Sequence, residues 1–272
     1  MSTEKYAVIG NPIAHSQSPL IHQAFAAQCN KDISYERILA PIDAFEMTVR
    51  TLIDQGYQGA NVTVPFKFEA FALCNEVSER AQHSHAEAVN TLVFKNGNIF
   101  GDNTDGVGLL NDIEHNLKFR ISGKRVLVLG AGGAAQGVLQ HLACAASVTV
   151  ANRSVDKAHA IVAKLDETIF SACQFATLSD PYDIIINATS TGLTDTQLPI
   201  PDVIFSKDCL AYDMMYGRDT PFMKQAKVAG SHVHDGLGML VEQAAEAFYI
   251  WHHVRPNTPP VMTMLRALKK VA

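Results

Sequence analysis

Short apolar runs, separated by turn residues, recur through the first hundred residues. Several have the two-residue period of strands, and others have the 3.6-residue period of helices. This predicts strands at 5–9, 33–38 and 59–65, helices from Ser18, at 43–56 and up to about residue 82, and a hairpin at 89–101. Strands and helices that alternate in this way favour a mainly parallel or mixed α/β sheet.

Residues that begin or end helices refine these limits. Ser18 is predicted to be an N-cap with Pro19 at the first helical position, Asp43 to be the next cap, and Gly56 a helix stop. Asn96-Gly97 predicts the tight turn of the hairpin.

A second alternating set follows a predicted linker helix at 103–116. Strands are expected at 125–130, 147–152, 182–189 and 209–216, and helices to about 145, at 154–164 and from Gly236 onward. The final helices, which are apolar on one side, are too long to pack only against a small sheet. We therefore predict two α/β domains, with the C-terminal helices packed on the first domain and a ligand cleft between the domains.

Composition narrows the class of protein. The 272 residues are 47% hydrophobic and 18% charged, which excludes a disordered chain. The net charge is −5 and no basic run occurs, so nucleic acid is not an expected partner. Five cysteines without a CxxC pair predict reduced, buried thiols in a cytoplasmic protein, and the N-terminus lacks the features of a signal peptide.

Two other classes are disfavoured. No Lys, Arg, Asp or Glu occurs between Arg125 and Arg153, a length that could span a bilayer, but a glycine cluster interrupts it, so a strand, turn and helix are favoured. Eleven histidines are present, yet their clusters lack a third ligand at a recognisable spacing, so no metal is predicted.

A glycine-rich turn follows the predicted strand 125–130. Gly130, Gly132 and Ala135 form the pattern G-x-G-x-x-A between a strand and a helix, the context that a dinucleotide site requires. Gly130 would make the tight turn, and Gly132 would let the backbone approach a pyrophosphate at the helix N-terminus. The alternative is a generic turn between a strand and a helix.

The next strand ends with residues that suit NADP. NAD enzymes usually place an acidic residue about 20 residues after the glycine turn, whereas this chain has Arg153 and Ser154, followed by Lys157. A guanidinium binds phosphate in a planar fork, so the pattern favours NADP over NAD. The alternative for Arg153 is a surface residue at a helix start.

NADP chemistry implies hydride transfer to a carbonyl carbon, and a proton donor must then protonate the resulting alkoxide. Lys67 is one candidate because it follows the strand-like run Val62–Val64 and Pro65, at an edge where ligands bind in α/β sheets. Asp105, at a helix start, is the second candidate, and the two could form a proton-transfer pair. The alternatives are a solvated loop lysine and an N-capping aspartate, and the sequence does not show that the two residues meet.

Uncharged polar residues could orient a substrate. Ser16 and Ser18 could together hold a carboxylate, although Ser18 alone could be a cap. Asn90, Thr63 and Gln243 suit a substrate rich in hydroxyl groups, although each residue could instead be structural.

Motifs along nearly the whole chain resemble those of the shikimate dehydrogenase family. In that family's order and spacing they are GNPIAHSQSP, NVTVPFK, AVNTL, DNTDGVG, GAGGAA, NRS, NATSTG, YDMMY and DGLGMLVEQAA. The resemblance implies NADPH-dependent reduction of 3-dehydroshikimate to shikimate in chorismate and aromatic amino acid synthesis. It also implies a substrate domain at 1–105, a Rossmann-like NADP domain at 106–236 and C-terminal helices at 237–272.

The resemblance also assigns residues. Lys67 would be the acid/base and Asp105 its partner. Substrate contacts would come from Ser16, Ser18, Thr63, Lys67, Asn90, Asp105, Tyr216 and Gln243. NADP would be held by Gly130, Ala131, Gly132, Gly133, Ala134, Asn152, Arg153, Ser154, Lys157, Met214 and Gly236.

Two positions depart from the family pattern. Glu87 stands where glycine is common, and Lys157 stands where arginine is common. Two alternative functions remain: a quinate/shikimate dehydrogenase that uses NAD, and a non-catalytic NADP-binding sensor. The expected partner is a small-molecule substrate, shikimate or 3-dehydroshikimate, and the expected assembly is a monomer or homodimer.

Overall fold

The structure is a computed structural model that describes residues 3–83, 87–165, 168–193 and 196–269. The strands are β1 Glu4–Gly10, β2 Ile33–Leu39, β3 Tyr57–Val62, β4 Glu76–Val77, β5 Thr91–Lys95, β6 Asn98–Asp102, β7 Arg125–Leu129, β8 Ser147–Asn152, β9 Phe170–Gln174, β10 Tyr182–Asn187, β11 Phe205–Asp213 and β12 His232–Asp235. The helices are α1 Ser18–Cys29, α2 Phe45–Asp54, α3 Lys67–Leu73, α4 Glu79–His83, α5 Asp105–Asn111, α6 Gly133–Leu139, α7 Val155–Val162, α8 Pro221–Val228, α9 Leu237–His252 and α10 Thr258–Lys269.

The chain forms two compact units. The first consists of Met1–Gly108 together with Val241–Ala272, and the second is Leu109–Leu240. Each unit is built on its own six-stranded sheet. The predicted α/β class with a mixed N-terminal sheet and a Rossmann-like second sheet is confirmed.

The first sheet has the strand order β2-β1-β3-β5-β6-β4. Strands β1, β2 and β3 are parallel, and β5 runs antiparallel to both β3 and β6. Asn96 and Gly97 both have positive φ, 52° and 77°, as expected for the predicted hairpin turn. Residues such as Ile9, Val62 and Leu92 alternate into the buried core of this unit.

The second sheet is parallel throughout, in the order β12-β11-β10-β7-β8-β9. The chain proceeds from β7 through β8 to β9 and then returns to β10, on the other side of β7. The strand order therefore reverses at β7, and ligands of open α/β sheets bind at the carboxyl ends of strands at such a point.

Several predicted boundaries differ from the structure. Strand β3 ends at Val62, before Thr63 and Val64, because the chain leaves the ladder in a turn in which Phe66 N–H donates to the Thr63 carbonyl at 3.0 Å. The helix predicted to reach residue 82 is interrupted after Leu73, since the amides of Asn75 and Ser78 donate to the carbonyls of Ile99 and Gly101 in β6.

The two predicted side-chain caps are wrong. Helix α1 begins at Ser18 itself. Ser16 Oγ accepts the Ser18 amide at 3.3 Å, so the hydroxyl of Ser16, and not that of Ser18, binds an amide at the N-terminus of α1. Helix α2 begins at Phe45 because Asp43 lies in a turn that the Ala44 amide closes onto the Pro41 carbonyl. Gly56, with φ of 81°, does follow the end of α2.

The later elements and the thiols also differ in part. Strand β11 begins and ends earlier than predicted, and β9, α8 and β12 were not expected. All five cysteines are free, but Cys144 is exposed and only Cys209 is buried, so the prediction of buried thiols is wrong for most of them. No helix in the described part of the chain is long and apolar enough to cross a membrane.

Candidate active site

Lys67 and Asp105 meet in the first unit. Lys67 begins α3 and Asp105 begins α5, and the Lys67 Nζ lies 2.5 Å from Asp105 Oδ2. Their side chains are 21% and 11% exposed. Phe66, fully buried and stacked on Phe45 with ring centroids 4.9 Å apart, anchors the start of α3. The pair is partly shielded from water but open enough to meet a ligand.

Asn90 orients the carboxylate of Asp105. Its Nδ2 donates to Asp105 Oδ1 at 2.8 Å, and its Oδ1 accepts the amide of Thr104 at 2.9 Å. Gln243 Oε1 lies 3.4 Å from the same Asn90 nitrogen. The structure therefore brings four of the predicted site residues together: Lys67, Asn90, Asp105 and Gln243.

A buried polar network behind this group was not predicted from the sequence. Asn61 Oδ1 accepts the hydroxyl of Tyr35 at 2.7 Å, and Asn61 Nδ2 donates to Thr91 Oγ1 at 3.1 Å. Thr91 in turn donates to Asn90 Oδ1 at 3.0 Å. Because buried polar groups need partners, this network restricts the orientation of Asn90. A polar residue within an apolar strand, as at Asn61, is the signal that could have identified it.

The two predicted carboxylate-binding serines lie together. Ser16 Oγ donates to Ser18 Oγ at 3.1 Å, and the guanidinium of Arg37 donates to the Ser16 carbonyl at 2.6 and 2.9 Å. This arrangement holds the two hydroxyls on one short turn. Thr63 lies on the turn before α3, where its amide donates to the Ile9 carbonyl at 2.9 Å.

The glycine turn lies in the second unit, after β7. Gly130 has φ of 103°, a left-handed conformation that favours glycine, and a Cβ there would lie 3.2 Å from the Ala188 carbonyl. Gly132 precedes α6, which begins at Gly133, and a Cβ on Gly132 would meet nothing within 4 Å. Ala131 lies in this turn and Ala134 in the first turn of α6, and the open backbone between them fits a pyrophosphate.

A cavity of about 600 Å³ lies beside the end of β8. Its lining includes Asn152, Arg153, Ser154, Lys157, Thr189 and Thr191. Arg153 and Lys157 are exposed, and Asn152 Nδ2 donates to the Ser154 carbonyl at 2.9 Å. The cluster of cations and hydroxyls suits a phosphate.

Thr189 and Thr191 were not predicted individually. They follow β10, on the far side of β7 from β8, and their hydroxyls lie 2.7 Å apart. Thr189 also donates to Asn187 Oδ1 at 2.7 Å. The signal in the sequence was the polar run that follows the apolar strand 182–187.

The remaining predicted residues also lie in the second unit. Gly236 donates its amide to the Met215 carbonyl at 2.9 Å, and a Cβ on Gly236 would collide with the Met214 backbone, so only glycine fits. Met214 donates its amide to the Asn187 carbonyl. Tyr216 is half-buried, and burial raises the pKa of its phenol. Tyr216 belongs to the second unit, whereas the other predicted substrate residues belong to the first.

The two departures from the family pattern, Glu87 and Lys157, lie in different units. Glu87 is exposed and has φ of 46°, a left-handed conformation in which glycine is less strained than glutamate. Residues 84–86 of the same loop lie outside the described residues.

Within the described ranges, no group of three histidine, cysteine, aspartate or glutamate residues could hold a metal ion.

Three family models match successive parts of the chain. They are the shikimate dehydrogenase substrate binding domain at residues 8–92, shikimate/quinate 5-dehydrogenase at 113–195, and the shikimate 5′-dehydrogenase C-terminal domain at 236–269.

Similar proteins cover nearly the full length. Shikimate dehydrogenase (NADP(+)) from Methylobacillus flagellatus is 56% identical over 270 residues, covering 97% of this chain and 99% of the relative. The protein of the same name from Laribacter hongkongensis is 54% identical over 271 residues, covering 97% and 98%.

Solved structures agree with these relatives. An Ael1 enzyme from Pseudomonas putida has a TM-score of 0.92 at 43% identity, covering 97% of this chain and 98% of that one. Shikimate 5-dehydrogenase from Thermus thermophilus, in complex with NADP(H) and shikimate, has a TM-score of 0.84 at 31% identity, covering 97% and 99%. The chain therefore belongs to the shikimate dehydrogenase family.

Proposed function

We propose that the protein catalyses the reversible, NADPH-dependent reduction of 3-dehydroshikimate to shikimate, a step in chorismate and aromatic amino acid synthesis. The observation that carries this proposal is the Lys67–Asp105 pair, held by Asn90 in the unit that contains the predicted carboxylate-binding serines. Family membership supports the same reaction, because the relatives at 48–56% identity are named shikimate dehydrogenase (NADP(+)).

Lys67 supplies the proton in this proposal. NADPH, when bound, supplies the hydride. In the direction of reduction, the Lys67 ammonium donates a proton to the oxygen that becomes the shikimate hydroxyl, and in oxidation the amine accepts that proton. Asp105 keeps the Lys67 Nζ directed toward one position through its Oδ2, while its Oδ1 remains bonded to Asn90.

Uncharged groups orient the substrate. The hydroxyls of Ser16 and Ser18 donate hydrogen bonds to its carboxylate. Thr63, Asn90 and Gln243 bind its ring hydroxyls, with a further contact from Tyr216. Hydroxyl and amide groups are suited to this because they can both donate and accept hydrogen bonds. The adjacency of the two serine hydroxyls, 3.1 Å apart, supports a shared ligand.

The second unit holds NADP in this proposal. The turn at 130–132 and the start of α6 at Gly133 and Ala134 receive the pyrophosphate. Arg153, with Ser154 and Lys157, binds the 2′-phosphate. Asn152, Met214 and Gly236 contribute further contacts. The exposed cations around the cavity support the preference for NADP, because NAD carries no 2′-phosphate.

The domain roles follow from these assignments. We propose residues 1–105 as the substrate domain, 106–236 as the NADP domain and 237–272 as helices that complete the first. Five free cysteines support a reducing, cytoplasmic location. A monomer or homodimer remains the expected assembly.

Related folds can act on other substrates, since a 5-ketofructose reductase of Gluconobacter has a TM-score of 0.85 at 27% identity. The deciding experiment follows nicotinamide absorbance with 3-dehydroshikimate and either NADPH or NADH. In the reverse direction it uses shikimate or quinate with either NADP⁺ or NAD⁺. We expect NADPH and 3-dehydroshikimate to give the highest kcat/KM. Preference for NADH in reduction, and for NAD⁺ with quinate in oxidation, would favour the alternative dehydrogenase. Tight NADPH binding without turnover would favour a sensor.

A further inference from the structure

Arg80, on the short helix α4, binds two carboxylates on separate elements of the first unit. Its Nε and Nη2 donate to the two oxygens of Asp102 at 2.7 and 2.6 Å, and its Nη1 donates to Glu246 Oε1 at 2.9 Å. The side chains are 29% exposed for Arg80, 5% for Asp102 and 11% for Glu246. One planar guanidinium thus joins two shielded acids, a geometry that lysine cannot reproduce.

Asp102 connects Arg80 to the turn that carries Asp105. Its Oδ1 also accepts the amide of Asn103 at 2.7 Å, and Asn103 Oδ1 accepts the amide of Asp105 at 3.1 Å. The Asn103 side chain is held in turn by the Ala88 carbonyl, to which its Nδ2 donates at 3.0 Å. The orientation of Asp102 therefore affects where α5 begins and where the Asp105 carboxylate lies.

Glu246 connects Arg80 to the helix that carries Gln243. The two residues are three positions apart on α9, so their side chains lie on the same face of that helix. Glu246 Oε2 also accepts Arg255 Nη1 at 2.5 Å, which holds the carboxylate between two guanidiniums. The ion pairs of Glu246 thus fix the segment of α9 from which Gln243 approaches Asn90.

A shielded ion pair of this kind is weak evidence for a stabilising role. Removing two charges from water costs free energy, and the attraction between the charges often does no more than offset that cost. Fixing one geometry is the best-attested use of such pairs. Arg80 joins β6, whose following turn leads to Asp105, to α9, which carries Gln243. Positioning therefore explains the arrangement better than stability alone.

We propose that Arg80 is a positioning residue, which fixes Asp105 through Asp102 and Gln243 through Glu246. This inference rests on the proposed function for its kinetic consequences. The two connections differ in their expected effects. The Asp102 connection acts on the proton-transfer pair and hence on kcat, while the Glu246 connection acts on a substrate contact and hence on KM.

The test uses Asp102→Asn, Glu246→Gln, Arg80→Lys and Arg80→Ala in the full chain, with Arg50→Ala as the matched control. Arg50 makes a comparable pair with Glu46, but both side chains are more than 60% exposed. The readouts are kcat, KM for shikimate, NADPH affinity by fluorescence, and melting temperature.

We expect Asp102→Asn to lower kcat about 10-fold or more, in line with the loss of a charge-assisted hydrogen bond. Glu246→Gln should mainly raise KM for shikimate, and Arg80→Lys should fold but remain impaired. Added guanidinium should partly restore kcat to Arg80→Ala, and NADPH affinity should stay unchanged in every variant. A lower melting temperature with unaltered kcat and KM in the Arg80 variants would overturn the proposal.

A measurement that needs no substrate separates this inference from the proposed function. In crystals of Arg80→Lys, and of Arg80→Ala if it folds, we expect Asp105 to be displaced from Lys67. An unchanged distance between their side chains would refute the positioning role even if the wild type proved inactive toward shikimate. Wild-type inactivity would instead refute the proposed function.

Discussion

Replacing Lys67 with alanine removes the proposed proton donor and leaves its surroundings largely in place. Alanine has a higher helix propensity than lysine, so α3 can still begin at this position. The carboxylate of Asp105 loses one partner at 2.5 Å but keeps the Nδ2 of Asn90 at 2.8 Å. The variant should therefore fold.

The expected loss of rate is much larger than the expected loss of stability. A positioned acid or base supplies roughly 10²- to 10⁴-fold in rate, equivalent to about 3–6 kcal/mol at about 1.4 kcal/mol per decade. Leaving one partly shielded carboxylate oxygen without its partner costs about 1–3 kcal/mol, which is below the roughly 5–15 kcal/mol that stabilises an ordinary domain. We expect a folded enzyme with a greatly reduced kcat.

Asp105→Asn tests the other side of the pair. Both oxygens of Asp105 accept hydrogen bonds, one from Lys67 and one from Asn90, whereas asparagine has a single side-chain oxygen. One of the two donors would then face an amide NH₂. We expect a lower kcat and, since a substrate contact is also lost, a higher KM.

The assay is steady-state oxidation of shikimate with NADP, followed by nicotinamide absorbance, for the wild type, both single variants and the double variant. Circular dichroism confirms folding, and NADPH fluorescence measures cofactor affinity, which should not change. If the two residues act as a unit, the double variant should be far less impaired than the product of the single losses. Near-wild-type turnover by folded Lys67→Ala would refute the assignment and leave Lys67 as a solvated helix-start residue.

Three further predictions concern other sites. Arg153→Ala should weaken NADPH binding about 10- to 100-fold but leave NADH binding nearly unchanged, because only NADPH carries the 2′-phosphate; equal losses in fluorescence titrations would contradict this. Ser16→Ala and Ser18→Ala should mainly raise KM for shikimate, and an equal effect on an analogue without the carboxylate would argue against that contact. Burial, followed by proximity to His252, lowers the pKa of His22 to about 3. Between about pH 6.5 and 3 the unfolded chain therefore binds a proton on His22 that the folded chain does not, and the free energy of unfolding should fall by about 1.4 kcal/mol per pH unit as the pH is lowered. Urea unfolding of wild type and His22→Asn between pH 6.5 and 4.5 tests this, and a pH-independent difference would contradict it.

Local chemistry determined much of the fold. Strands β1, β2, β7 and β8 and the Asn96-Gly97 hairpin follow from hydrophobic periodicity and turn residues, which act over a few neighbouring positions. The glycine turn at Gly130 was equally recognisable, because its positive φ is a local requirement. These features needed no knowledge of distant partners.

Helix and strand ends were less predictable because neighbouring elements compete for the same groups. Thr63 and Val64 have strand-forming side chains, yet the turn onto Phe66 ends β3 before them. The helical pattern after Lys67 is overridden where the amides of Asn75 and Ser78 donate to carbonyls of β6. Ser18 could cap a helix, but Ser16 already accepts its amide.

The site combines both kinds of information. Sequence alone identified Lys67 and Asp105 as candidates, since residue type and position after a strand or at a helix start are local. Their contact, 38 positions apart along the chain, depends on which strands lie side by side and in what register. The same holds for Arg80 and Glu246, separated by 166 positions, because periodicity specifies which face of an element is buried but not which partner covers it.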